Sequence, residues 1–185
     1  MNSDASNLDP ANLDPRGLEI VPLDGSHLAS VIRIAEILEE TPHWPRDSWV
    51  ELTGKTPSAQ RIALVARGSL PAAVGGASAG SGIAPEIEPE IAGFVVARTV
   101  PPEAELESIG VAMQWQRRGI GRRLVVALVA ELEKAEVEKL HLEVRASNGI
   151  AIAFYLSLGF IETGHRTRYY ADPVEDAVLM ELRIG

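Results

Sequence analysis

An amphipathic segment at residues 119–135 constrains the fold of this chain more than any other feature. The apolar residues that recur at intervals of four and share one helical face are Ile120, Leu124, Leu128 and Leu132. The segments before and after it, near residues 109 and 142, have the apolar or alternating pattern of β-strands. A helix that returns the chain between two strands predicts a parallel pair with a right-handed crossover.

The rest of the chain predicts further strands around this unit, joined mostly as antiparallel neighbours. Predicted strands cover about residues 18–21, 62–66, 91–99, 105–112, 140–145, 160–168 and 177–183, and a loop at 169–176 joins the last two. Predicted helices cover residues 28–40, a short segment that begins near Pro45, residues 119–135, and residues 148–158, which Gly159 ends. The order β-α-α-β-β-β-α-β-α-β-β predicts an α+β fold with a mixed central sheet.

Two segments are predicted to lie outside the packed core. Residues 1–16 are rich in Asn, Asp, Ser and Pro, so we expect a disordered acidic tail there. Residues 68–90 contain five Gly, five Ala, three Ser and three Pro. This composition favours a flexible insert, either a neutral insertion or a lid, and the neutral insertion is the simpler interpretation. Residues 17–185 then form one domain, as expected for a chain of 185 residues.

The composition excludes several classes of function. Cysteine is absent, which excludes disulfides, zinc–cysteine sites and thiol nucleophiles and favours a cytoplasmic location. The 17 Lys and Arg residues against 26 Asp and Glu residues give a net charge of −9. We therefore expect no nucleic-acid partner and favour a basic or amine-bearing one. The longest apolar run, residues 124–130, is far shorter than the ~20 residues of a membrane span. The four histidines are scattered, so no metal site is predicted.

Residues 116–123, Gln-Arg-Arg-Gly-Ile-Gly-Arg-Arg, lie where a loop becomes the long helix. Gly119 and Gly121 allow close backbone approach, and the helix start supplies unpaired N–H donors. Four arginines at a helix N-terminus are unfavourable unless an anion compensates them. A P-loop would need Gly-Lys-Ser/Thr, and a dinucleotide fingerprint would need a third Gly where Leu124 stands. The loop by itself predicts a phosphate site and a solvated arginine surface about equally.

This loop, together with the segments around it, resembles the GNAT superfamily of N-acetyltransferases. The sequence Gln-Arg-Arg-Gly-Ile-Gly matches the Q/R-x-x-G-x-G/A motif, and Ile109-Gly110-Val111 precedes it. Three further segments are similar to the RimI-like ribosomal-protein alanine acetyltransferases: residues 142–148, residues 153–160, and Arg-Tyr-Tyr at 168–170 followed by Glu-Asp-Ala at 175–177. The resemblance is strong over residues 91–182 and weaker over 18–67.

The resemblance implies a three-layer fold, with helices on both faces of the mixed sheet, and acetyl-CoA as the co-substrate. Residues 117–122 would bind the pyrophosphate, and the strand at 109–111 would hydrogen-bond the pantetheine arm. The residues implied to contact acetyl-CoA are Ile109, Gly110, Val111, Arg117, Arg118, Gly119, Ile120, Gly121, Arg122 and Asn148.

The resemblance also implies the residues that handle protons and the acceptor. Glu143 would be the base, Tyr155 the acid, and Tyr169 and Tyr170 would line the acceptor entrance. Taken without the resemblance, Glu143 equally suits a surface ion pair with Arg145 or His141, and Tyr155 suits a half-buried core position. Asn148 equally suits a helix cap. Ser108 and Gly110 stand where the subgroup commonly has Asn and Ala, which affects the acceptor geometry most.

The function implied is transfer of the acetyl group of acetyl-CoA to the N-terminal α-amino group of a protein, a ribosomal protein with an N-terminal alanine. A small-molecule amine or a lysine side chain is the alternative acceptor, and a non-catalytic acyl-CoA-binding domain is the alternative class. The expected partner is a protein N-terminus or peptide, with no nucleic acid and no membrane. The sequence leaves the acceptor and the oligomeric state open.

Overall fold

The computed structural model of the protein describes residues 17–38, 44–53, 60–68 and 90–185. Its strands are β1 (Glu19–Pro22), β2 (Arg61–Gly68), β3 (Glu90–Val100), β4 (Glu103–Val111), β5 (Lys139–Arg145), β6 (Ile161–Ala171) and β7 (Val174–Arg183). Its α-helices are α1 (Leu28–Ile37), α2 (Arg46–Glu51), α3 (Ile120–Lys134) and α4 (Gly149–Ser157). The predicted order of strands and helices is confirmed. The first helix was predicted to run to residue 40, but it ends at Ile37 and Leu38 is already extended. The predicted tail at 1–16 and residues 69–89 of the predicted insert lie outside the described residues.

The seven strands form one sheet in the order β1-β2-β3-β4-β5-β7-β6. Neighbours are antiparallel except β4 and β5, which are parallel and joined through α3. The crossover predicted from the amphipathic helix is therefore confirmed. The helix that makes it is fully seated on the sheet, because Leu124, Leu128 and Leu132 are completely buried.

Helices cover both faces of the sheet. On one face, Trp49 of α2 packs edge-on against Phe94 of β3, with ring centroids 5.4 Å apart. The next residue of β3 toward the N-terminus, Gly93, points to the opposite face, where it meets Leu124 of α3. Helix α4 lies on the α3 side, since the Phe154 ring is beside Gly121 at the start of α3. Within the described residues, no helix is long and apolar enough to span a membrane.

The crossover helix α3 and the following helix α4 have the terminal residues that the sequence predicts. Helix α3 starts after Gly119, which has a φ of +78° that favours glycine. The side chain of Asn148 caps α4 by accepting the N–H of Ala151 at 3.0 Å. Gly159, with a φ of +93°, follows the end of α4 in the left-handed conformation.

The predicted loop at residues 169–176 is wrong. Strand β6 continues to Ala171 and β7 begins at Val174, so Tyr169 and Tyr170 belong to a strand. The ladder between β6 and β7 shifts register between Arg166 and Tyr170. Nearly all of β6 is exposed at the edge of the sheet, so it lacks the apolar alternation by which strands are predicted.

Strand β4 contains one extra residue near its centre. Ser108 pairs with Val96, whereas Leu106 pairs with Ala97, which leaves Glu107 as the bulged residue. Arg61 of β2 reaches across β3 and donates two hydrogen bonds to the Glu107 carboxylate, at 2.7 and 3.0 Å. This largely buried ion pair fixes the bulge in place. After the bulge, Ser108 and Gly110 face the α1 and α2 side, and Ile109 and Val111 face α3 and α4.

We expect Gly93→Ala to destabilise the protein by about 1–3 kcal/mol, the usual cost of overpacking. A Cβ atom at Gly93 would lie 2.6 Å from the carbonyl oxygen of Gly110, so the backbones of β3 and β4 would have to move apart. Gly164→Ala in β6 is the matched control, because its Cβ would meet Leu179 at an ordinary 3.7 Å. Urea unfolding of both variants measures the difference, and equal stabilities would contradict this packing.

Candidate functional site

A cleft of about 560 Å³ opens between β4 and β5. The two strands pair only from Glu103–Lys139 to Glu105–His141. Beyond that point β4 and β5 face each other across the cleft instead of across a ladder. The predicted site residues that the structure brings together in its walls are Ile109, Gly110, Val111, Glu143, Asn148, Tyr155 and Tyr170.

The loop with the paired glycines lies at the end of this cleft. Gly121 is close to Phe154 and Val111, which both line the cleft. No heavy atom of the described residues lies within 4 Å of a Cβ built on Gly119, so the space beside it is open. Arg117 and Arg118 are exposed. They closely precede the N-terminus of α3, and neither lines the cleft. We term these two exposed arginines and the helix start the cationic rim.

The other predicted loop residues have structural contacts. Ile120 is buried in the core, so its side chain cannot contact a ligand and only its backbone is available. Arg122 lies 3.5 Å from the carbonyl oxygen of Ser157 at the end of α4. Arg123, the fourth arginine of the loop, donates to the carbonyl of Leu18 at 2.9 Å and thereby ties α3 to the chain before β1.

Glu143 lies on the polar face of β5, between two cavities. It lines the cleft and also a second cavity of about 540 Å³. Its carboxylate forms an ion pair with Arg166 of β6, with Nη1 of Arg166 and Oε1 of Glu143 2.7 Å apart. The Tyr169 hydroxyl also donates to Glu143, and this hydrogen bond raises the pKa of Tyr169.

The alternative ion pairs expected for Glu143 are wrong. Arg145 pairs with Glu175 at 3.2 Å. His141 lies 3.8 Å from the carboxylates of both Glu103 and Glu181. Sequence reasoning missed Arg166, because β6 lies two places away from β5 in the sheet and no local spacing connects them.

Tyr155 is both packed in the core and part of the cleft wall. It is buried to 7% exposure, and its ring packs against Phe154 and Phe160 with centroids 5.2 and 5.4 Å away. It also lines the cleft. Burial raises the pKa of the Tyr155 phenol above its ordinary value of about 10. The phenol is therefore protonated throughout the neutral range.

Tyr169 and Tyr170 point to different cavities from adjacent positions. Their rings meet edge to face with centroids 5.2 Å apart. Tyr169 lines the second cavity and Tyr170 lines the cleft. The guanidinium of Arg145 lies over the Tyr170 ring at 4.2 Å. Burial, followed by the nearby Glu143 charge, raises the pKa of Tyr170.

Ser108 is a further polar residue in the cleft wall. It is 4% exposed, and its hydroxyl has no hydrogen-bond partner within the described part of the chain. The same part of the chain contains no group of three or more His, Asp or Glu side chains arranged to hold a metal ion.

Comparison with known proteins identifies the family. The model of the "Acetyltransferase (GNAT) family" matches residues 38–160. The chain belongs to the GNAT acetyltransferases. The matched range contains the glycine-pair loop, Glu143 and Tyr155, and the mixed sheet with its α3 crossover is the fold of this family's structures.

Individual GNAT relatives are similar over different shares of the chain. The [ribosomal protein bS18]-alanine N-acetyltransferase of Escherichia coli is 48% identical over 98 residues, which are 52% of this chain and 66% of that protein. The N-alpha-acetyltransferase RimI of Mycobacterium tuberculosis is 45% identical over 88 residues, which are 48% of this chain and 54% of that protein. The crystal structure of the E. coli ribosomal-protein-S18-alanine N-acetyltransferase superposes with a TM-score of 0.69 at 32% identity, covering 91% of this chain and 94% of that one.

Proposed function

We propose that this GNAT protein transfers the acetyl group of acetyl-CoA to the N-terminal α-amino group of a ribosomal protein in the cytoplasm. One observation carries the proposal: Glu143 lies where the cleft between β4 and β5 meets a second cavity. A base at this junction can accept a proton from an amine that enters through the second cavity while the thioester lies in the cleft. The identity of 48% to the E. coli bS18-alanine N-acetyltransferase supports this acceptor class.

The residues of the cleft suit acetyl-CoA, which supplies an activated acetyl thioester when bound. The stretch of β4 from Ile109 to Val111 faces the cleft, so its backbone can hydrogen-bond an extended arm as an added strand would. A backbone N–H in this stretch can polarise the thioester carbonyl. The cationic rim at Arg117 and Arg118 and the open backbone at Gly119 suit a pyrophosphate.

Glu143 is the proposed base. Its carboxylate accepts the proton that the ammonium group must lose before the nitrogen can attack, directly or through one water. An α-amino group has a pKa near 8, about two units below that of lysine, so less work is needed to neutralise it. This difference favours a protein N-terminus over a lysine side chain as the acceptor.

Tyr155 is the proposed acid. As the amine nitrogen forms its bond to the carbonyl carbon, the carbon–sulfur bond breaks and the departing thiolate takes the phenol proton. The nitrogen releases its second excess proton to solvent as the amide forms. The raised pKa of Tyr155 keeps this proton in place until it is needed. Because the pKa of the phenol is raised further above the thiol pKa of about 8.5, proton transfer from Tyr155 to the thiolate is by itself unfavourable. Solvent must therefore return a proton to Tyr155 and remove one from Glu143 after each turnover.

We expect acetyl-CoA to stabilise the wild-type protein and to lose this effect in Gly121→Glu and Gly119→Glu. At a ligand concentration of 100 times Kd, the wild-type gain is about 2.7 kcal/mol. A side chain at Gly121 would lie 3.2 Å from the Phe154 ring, and Gly119 has a φ that glycine favours. Both carboxylates would also repel phosphate. Ala130→Glu, at an exposed position on the same helix, is the control that should keep the effect. Equal thermal shifts in all four proteins would remove the phosphate site from this loop.

We expect Glu143→Gln and Tyr155→Phe each to reduce kcat about 10²-fold, at the low end for general acid–base catalysis. Both changes keep the side-chain shape, so the Kd for acetyl-CoA should remain within about twofold. The Glu143→Gln defect should fade as pH rises, because the amine then loses its proton unaided. The Tyr155→Phe defect should stay constant between about pH 6 and 9, since burial keeps the phenol protonated in that range. A pH–rate series with saturating acetyl-CoA measures both. Wild-type turnover in both variants would contradict the proposed roles of Glu143 and Tyr155.

The acceptor class is tested with three substrates and mass spectrometry. The first is a peptide with the N-terminal sequence of ribosomal protein bS18, the second the same peptide with a blocked N-terminus and a free lysine, and the third a small-molecule amine. The proposal predicts acetylation of the α-amino group of the first peptide only. Preferred acetylation of the lysine or of the small amine would assign the chain to a different acceptor.

A further inference from the structure

Two adjacent acidic residues near the start of β7 accept backbone hydrogen bonds from two segments that flank the cleft. The Glu175 carboxylate accepts the backbone N–H of Ser147 at 2.5 Å and a hydrogen bond from Arg145 at 3.2 Å. The Asp176 carboxylate accepts the backbone N–H of Arg168 at 2.8 Å. Because neighbouring residues of a strand point in opposite directions, one pair of acids can fasten two separate segments.

Glu175 fixes the segment that carries Asn148 and Tyr155. Ser147 directly precedes Asn148, the cap of α4, and α4 carries Tyr155 into the cleft wall. The hydrogen bonds from Ser147, followed by the Arg145 charge, lower the pKa of Glu175 and so keep it ionised at neutral pH. A charged acceptor on a backbone N–H makes a strong hydrogen bond. The position of the turn between β5 and α4 therefore depends on Glu175.

Asp176 fixes the segment that carries the two tyrosines. Arg168 has a φ of +52°, a backbone conformation that costs a residue with a side chain about 1 kcal/mol or more. It lies within the register shift between Arg166 and Tyr170 and directly precedes Tyr169, which lines the second cavity. The hydrogen bond to Asp176 holds Arg168 in this conformation.

We propose that Glu175 and Asp176 are positioning residues with separate effects, Glu175 on acetyl-CoA binding and Asp176 on acceptor binding. The division rests on the proposed function and follows from the contacts. Glu175 acts through the turn that carries Asn148, which lies in the acetyl-CoA cleft. Asp176 acts through Arg168 on Tyr169, which lines the second cavity beside Glu143. Neither carboxylate lines either cavity.

The test measures the acetyl-CoA Kd by calorimetry without acceptor and the acceptor KM at saturating acetyl-CoA. We expect Glu175→Ala to raise the Kd about tenfold and Asp176→Ala to raise the KM about tenfold, the effect of one lost charge-assisted hydrogen bond. Glu175→Ala should change the acceptor KM by no more than about twofold, and Asp176→Ala should change the acetyl-CoA Kd by no more than about twofold. Glu175→Gln and Asp176→Asn keep an oxygen acceptor and should recover most of the loss. Glu162→Ala, at an exposed residue that pairs with His165, is the control and should change neither constant.

A second-site variant separates positioning from general stability. In the Asp176→Ala background, Arg168→Gly should restore the acceptor KM, because glycine adopts a φ of +52° without help from Asp176. Equal rises of both constants in both alanine variants, or failure of Arg168→Gly to restore the KM, would overturn the inference. A wild-type protein that acetylates no peptide N-terminus would instead overturn the proposed function, so the two failures are distinguishable.

Discussion

The separation of β4 from β5 is the constraint on which the rest of the site depends. Two parallel strands that share a crossover helix would ordinarily stay paired along their length, yet here the ladder ends at Glu105 and His141. The bulge at Glu107, fixed by Arg61, shifts every later residue of β4 to the other face of the sheet. It places Ser108 and Gly110 toward α1 and α2, and it turns Ile109 toward α3 and α4. A continuous ladder would leave no cleft and no free backbone on β4.

Glu143 lines both the cleft between β4 and β5 and the second cavity. Its partner Arg166 has a side chain that is 55% exposed, so the ion pair contributes about 0–1 kcal/mol. Under the proposed function, an acceptor ammonium group that enters the second cavity can replace Arg166 at this small cost. The paired acids Glu175 and Asp176 lie behind both walls of the same region. Under the proposed function, Glu143 is thus a base whose charged partner can be exchanged.

The sequence predicts those parts of the structure that depend on local periodicity. The amphipathic stripe of α3, the alternation in β5 and the Asn148 cap each involve residues a few positions apart, and the structure confirms them. The partner of Glu143 could not be predicted, because Arg166 reaches it from β6 across β7. The extent of β6 was missed because an exposed edge strand lacks apolar alternation. The raised pKa of Tyr155 follows from packing against Phe154 and Phe160, which spacing alone does not specify.

The most direct test of this account is the position of a bound acetyl-CoA in a crystal structure of the complex. We expect its pyrophosphate to lie on the backbone of residues 117–122 and its pantetheine arm to run along Ile109 to Val111 between β4 and β5. The thioester sulfur should then lie beside Tyr155, with Glu143 on the side of the second cavity. A ligand bound outside the cleft, or a thioester remote from both Glu143 and Tyr155, would contradict it.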